Sequence, residues 1–183
     1  MNQITGTSVP TRTIYILLTQ FPGWNSRAIR LWTRFPYTHA SLGLEEDLNT
    51  FYSFVCKGFI VESVTRYNKP GRKPFPCVLY ALEVPEDTYL AAKEIIDTFL
   101  NNRSQLRYSS FGVVMGLVLR IPFRRKNHYF CSQFVAEVLS RCQALRLKKD
   151  TTLYLPKDFF RNKDLRMVFR GDLLQMSRRF QAA

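Results

Sequence analysis

Apolar and polar positions along the chain fall into short periodic segments. "TIYILLTQ" (13–20) is an almost continuous apolar run rich in β-branched and aromatic residues, which predicts a central strand covered on both faces. "FPGW" breaks it. "SRAIRLWTRF" (26–35) predicts a short helix with Ser26 as N-cap, Ile29, Trp32 and Phe35 on one face, and Pro36 as its stop. "YTHASLGL" (37–44) alternates, with Thr38, Ala40, Leu42 and Leu44 on one face and Tyr37, His39, Ser41 and Gly43 on the other. After the polar turn "EEDLN", "TFYSFVC" (50–56) completes a predicted hairpin. A loop, "NKPGRKPFP" (68–76), leads to the strand "CVLYALEV" (77–84).

"PEDTYLAAKEIIDTFLNN" (85–102) predicts a helix with acidic residues in its first turn and Leu90, Ile95, Ile96 and Phe99 available for burial. "FGVVMGLVL" (111–119) is too short to span a bilayer and reads as a buried helix, with Gly112 and Gly116 allowing close packing. In "NHYFCSQFVAEVL" (127–139) a helix begins at Cys131. Phe134, Val135, Val138, Leu139 and Cys142 share its stripe, while Glu137, Ser140 and Arg141 lie off it. "LPKDFFRN" (155–162) is a Pro-initiated turn or short helix, and "LRMVFRGDLL" (165–174) a closing strand. Strands, then helices, then a strand predict an α+β fold, an antiparallel sheet with helices mostly on one side. The 183 residues suit a single domain, 1–183, with flexible ends at 1–12 and 176–183.

Composition adds charge to this picture. There are 27 Lys and Arg against 14 Asp and Glu, a net of +13. From Arg120 onward 15 basic residues face 5 acidic ones, a net of +10. Such a segment suits an anionic membrane or an acidic substrate, and equally a solvated surface. No aromatic-basic signature or finger spacing supports nucleic-acid binding. Cys56, Cys77, Cys131 and Cys142 form no close pairs, and His39 and His128 are the only histidines, so no metal or other cofactor is expected. The first residues lack a signal-peptide pattern, and a reduced, cytoplasmic setting with free thiols is expected, with peripheral membrane contact as the alternative.

Cys131 at a helix start carries the candidate chemistry. Unpaired N–H groups and the helix dipole favour a thiolate there and can hold an oxyanion. The inward stripe suits a structural cysteine equally well. Cys142, deeper on that stripe, reads as core. His128 lies in the approach to the helix and reads as a loop histidine. His39 sits on a strand beside small Ser41 and Gly43, which leave room above the sheet. If Leu44 opposes Leu48, His39 faces Ser53, and any even register keeps Ser53 on the His39 face. Ser53 is then a candidate orienting group, or simply a small polar strand residue.

"YTHASLGL", "FYSF", "YFCSQFVAEVL" and "LPKDF", in that order, resemble the circularly permuted papain-like cysteine hydrolases. These form the YiiX-like branch of the NlpC-type amidase and peptidase superfamily, related to the lecithin retinol acyltransferase-like proteins. The likeness is greatest to bacterial members of that branch and spans roughly 13–174. It implies a permuted papain-like fold with His39 as general base, Ser53 in the third position and Cys131 as nucleophile. Ser53 departs from the Glu, Asn, Gln or His frequent there. The implied chemistry is attack on an acyl carbon of a small-molecule, peptide or lipid substrate. The second oxyanion donor is open, with Thr19 and Gln20 as candidates. Acyl transfer or ester hydrolysis at an anionic membrane, and a non-catalytic binding protein on the same fold, are the alternatives.

Overall fold

The computed structural model describes residues 10–20, 24–44, 48–67 and 75–181. The strand predicted from "TIYILLTQ" is β1 (Thr11–Thr19), and it lies inside a six-stranded antiparallel sheet. Its partners are β2 (His39–Gly43) and β5 (Pro76–Pro85). Beyond β2 follow β3 (Thr50–Val55) and β4 (Gly58–Ser63), and beyond β5 lies β8 (Arg166–Asp172), giving the order β4-β3-β2-β1-β5-β8. The remaining strands, β6 (Arg107–Tyr108) and β7 (His128–Tyr129), form a small parallel pair. Helices α1 (Trp24–Thr33), α2 (Glu86–Asn101), α3 (Ser110–Val114), α4 (Cys131–Arg141), α5 (Pro156–Phe160) and α6 (Leu173–Gln181) complete the α+β fold.

Alternation along β1 sends Ile14, Ile16 and Leu18 to one face. There they meet Ala40, Leu42, Phe54 and Val78 from neighbouring strands and the buried stripes of α2 and α4. Phe134 of α4 stands amid aromatic rings, with centroids 5.0 Å from Phe99, 5.4 Å from Phe59 and 5.6 Å from Phe54. The opposite face, with Leu17, Phe51, Cys77 and Leu79, is closed by Leu173 and Met176 of α6. Both faces of β2 are therefore covered, and all five of its residues are buried.

Several expectations are corrected. The tail expected to be flexible from 176 is helical through Gln181, with Met176 fully buried against the sheet. At the other end, Thr11 and Arg12 of the expected flexible segment are paired in β1, and residues 1–9 lie outside the described residues. Helix α1 begins at Trp24, so Ser26 is not its N-cap. Trp32 faces outward and Phe35, past the helix end, packs instead against Tyr37 and Phe160. Leu90 is exposed, and Ala92 takes its place in the α2 contact with the sheet.

The segment 111–119 is not a buried helix. It is the short α3 followed by a wider π turn, Met115–Leu119, and only its glycine edge is buried. A Cβ on Gly116 would come within 2.8 Å of the Thr152 carbonyl oxygen, so the backbone itself forms the contact and the large side chains point away. Strand β4 had no counterpart in the sequence reading. It returns from β3 through a two-residue turn, Cys56–Lys57, with Gly58 at φ +99°. A Cβ on Gly58 would also meet the Leu106 carbonyl oxygen at 2.8 Å.

Candidate active site

Helix α4 starts where the chain leaves β7, with Phe130 extended as the cap residue. Its first intrahelical bond runs from the Phe134 N–H to the Phe130 carbonyl at 2.9 Å. The apolar stripe of α4 is drawn onto the sheet, and this fixes Cys131 over the beginning of β2, where His39 sits. Both residues are buried, at 7% and 5% exposure. The Cys131 thiol hydrogen-bonds the His39 ring. His39 Nε2 lies 2.6 Å from Glu62 Oε1, which leaves Nδ1 for the sulfur. Ser41 Oγ donates to the other Glu62 oxygen, Oε2, at 3.2 Å. Thiol, imidazole and carboxylate thus form one chain across α4, β2 and β4.

Electrostatics follow from this arrangement. Burial is the largest influence on Cys131 and works against the thiolate. The hydrogen bond and charge of His39, with the N–H groups of Ala40 and Ser132, outweigh it and hold the thiol below its ordinary 9.0. Burial is also the largest influence on His39 and disfavours its charged form. The Glu62 carboxylate, aided by the bonds to Cys131 and Glu62, reverses that effect and raises the imidazole from 6.5 to about 10. Both shifts favour a thiolate–imidazolium pair. The other cysteines differ. Burial, with the charge of Asp172, pushes Cys77 up to about 12, and burial also raises Cys142.

Ser53 is not the group that orients His39. The β2–β3 register places Leu42 against Tyr52, so Ser53 falls opposite Ser41 rather than His39. The register is even, and Ser53 does lie on the His39 face. Its hydroxyl, however, donates to the Ala40 backbone carbonyl at 2.7 Å. The Ala40 N–H in turn bonds the Cys131 sulfur. Side chains therefore take over, at Ala40, the hydrogen bonds that a continuous β2–β3 ladder would make. Ser53 holds the backbone that bears His39, while Glu62 holds its ring.

Glu62 was missed because β4 was missed. The available signal was the tight "CKG" turn followed by "FIVESV", in which an acidic residue interrupts a β-branched run. Tyr108 also escaped notice. The parallel β6–β7 pairing sets it beside Tyr129, two residues before Cys131. Burial and the nearby charges of Cys131 and Cys56 push its phenol up, so it stays protonated beside the site.

His128, expected in a loop, lies in the short strand β7 opposite Arg107, with its Nδ1 2.8 Å from the Lys126 carbonyl oxygen. Of the two candidates for a second oxyanion donor, the Gln20 N–H is bound to the Pro76 carbonyl at 3.0 Å. Thr19 is directly opposite His39 in the β1–β2 register. Its buried hydroxyl has no hydrogen-bond partner among the described residues. No cluster of metal-ligating side chains occurs among the described residues.

No family model matches the chain, and no curated protein matches it in sequence.

Proposed function

We propose that this protein is a cysteine hydrolase working through Cys131, His39 and Glu62 on an amide, peptide or ester bond. The observation that carries the proposal is the His39 ring, bonded to the Cys131 thiol on one side and held by the Glu62 carboxylate at 2.6 Å on the other. In this reading the Cys131 sulfur attacks the acyl carbon and an S–C bond forms. The carbonyl electrons move to oxygen, stabilised by N–H groups at the start of α4 and by the Thr19 hydroxyl. The His39 imidazolium gives its proton to the leaving group as the acyl bond breaks. Water then attacks the thioester while His39 takes its proton, and the thiolate returns. Glu62 fixes the ring orientation and stabilises the imidazolium.

A histidine strand, an acidic residue on a later strand and a cysteine helix after both is the order expected of a permuted papain-like fold. That fold and family are part of this proposal. The alternative of a non-catalytic protein drew its main support from serine in the third position. Glu62 in that position removes that support.

The test is alkylation with iodoacetamide near pH 6 in a Cys56→Ser chain, since Cys56 is exposed and reacts for reasons of access alone. Peptide mapping should find Cys131 modified well ahead of Cys77 and Cys142, and His39→Ala should slow it at least about tenfold. Equal, sluggish labelling of all three would refute the proposal. A panel of acyl and peptidyl electrophiles then separates amide from ester preference.

A further inference from the structure

The stretch 109–126 carries features that the cysteine site does not use. Phe111, Val114, Val118, Leu119 and Ile121 are between 44% and 58% exposed. Single exposed apolar residues are ordinary on a surface, but five within residues 111–121 expose apolar area that water disfavours. The element is held firmly from beneath. Ser109 Oγ accepts from the Gly112 N–H at 3.2 Å, the Gly116 backbone lies against Thr152, and the Phe111 and Phe123 rings meet edge-on at 4.9 Å. Close behind it come Arg120, Arg125 and Lys126, all exposed, while Arg124 beside them is paired with Glu137 at 3.2 Å and Asp150 at 3.5 Å. No acidic residue occurs anywhere between Asp97 and Glu137.

We infer that this apolar knuckle and its basic collar dock on an anionic lipid bilayer, with the apolar side chains at the acyl boundary and the arginines against headgroup phosphates. The patch is the exposed side of a short helical element, so it suits insertion into a soft interface and not capture of a peptide. A second copy would bring the same collar against itself, on a chain of net charge +13, and the repulsion disfavours self-association. Among the described residues no helix is long and apolar enough to cross a membrane, so the contact is interfacial. The knuckle is also tied to the cysteine helix. The Ser109 N–H bonds the Tyr129 carbonyl at 2.9 Å, and Gly112 lies against the ring of Phe130, the residue before Cys131. Docking therefore brings the start of α4 close to the lipid surface. The inference stands on the surface alone and holds whether or not Cys131 is catalytic.

Co-sedimentation of the full chain with vesicles of phosphatidylcholine, with and without phosphatidylglycerol, tests it. Binding is expected only to the anionic vesicles and should fall steeply with added salt. The triple change Arg120→Gln, Arg125→Gln, Lys126→Gln should weaken partitioning on the order of a hundredfold, about fivefold per basic residue. Phe111→Ser with Val118→Ser and Leu119→Ser should weaken it about tenfold or more while leaving iodoacetamide labelling of Cys131 unchanged. Absence of binding to anionic vesicles at low salt would overturn the inference, as would equal binding to neutral ones. So would retention of binding by both variants, or its loss on Leu31→Ser with Trp32→Ser, an exposed apolar pair on α1. A dimer of the native chain that the Phe111 variant dissolves would assign the knuckle to self-association instead.

Discussion

At the scale of single residues, Glu62 and Ser53 both reach β2 from the β3–β4 side of the sheet and do different things. Glu62 places a carboxylate on the His39 ring, so its effect is electrostatic; Ser53 satisfies a backbone carbonyl, so its effect is structural. Glu62→Gln should keep the fold, raise the pH at which Cys131 becomes reactive by about 1 unit or more, and slow its alkylation at neutral pH. Ser53→Ala should leave that pH dependence in place and cost about 1–3 kcal/mol in urea unfolding, because the Ala40 carbonyl loses its buried partner.

His39 itself links protonation to stability. Its imidazole is raised from 6.5 to about 10 on folding, so the folded state binds the proton more tightly. That contribution is fully present below pH 6.5 and is lost as pH rises through about 10. The stability advantage of the native chain over His39→Gln should therefore shrink across that window. Parallel urea titrations at several pH values measure it, and an advantage that grows with pH would contradict the assignment.

At the scale of elements, the site depends on β4 keeping its place at the sheet edge. Gly58 makes that possible, since it turns at φ +99° and a Cβ there would come within 2.8 Å of the Leu106 carbonyl oxygen. Gly58→Ala should destabilise the protein by more than about 1 kcal/mol and, by displacing Glu62, also slow Cys131 alkylation. An alanine that lowers stability and leaves labelling unchanged would separate the turn from the site. The element most legible in the sequence is α4, because its apolar stripe has one period and one direction. β4 was harder to read. It is short and follows a turn without the usual Asn-Gly signal, and it carries a buried glutamate where a solvated charge is the ordinary expectation.

At the scale of the molecule, charge and burial separate two kinds of electrostatics. The exposed ion pairs, such as Arg166 with Glu83 at 3.0 Å, contribute little, whereas a net charge of +13 repels itself throughout the fold. Added salt should therefore raise the thermal midpoint. The pair of Cys131 and His39 is buried and screened far less, so its alkylation rate should change little over the same range. Loss of stability with salt, followed by calorimetry, would show that the surface pairs outweigh the repulsion.

Periodicity in the chain determined the central strand, the histidine strand, α2 and the cysteine helix. From these came the α+β class, which depends on local spacing that a buried face enforces, whereas the pairing of His39 with Cys131 was an expectation carried by the resemblance of the four motifs in their order. The identity of the third group was decided only in three dimensions. His39 and Glu62 are 23 positions apart on strands that do not adjoin. Their contact follows from the order of strands in the sheet and from where the β2–β3 ladder gives way to side chains. The outward turn of Val118 and Leu119 was likewise settled by tertiary packing, because an apolar run does not say which edge the backbone of Gly112 and Gly116 will bury.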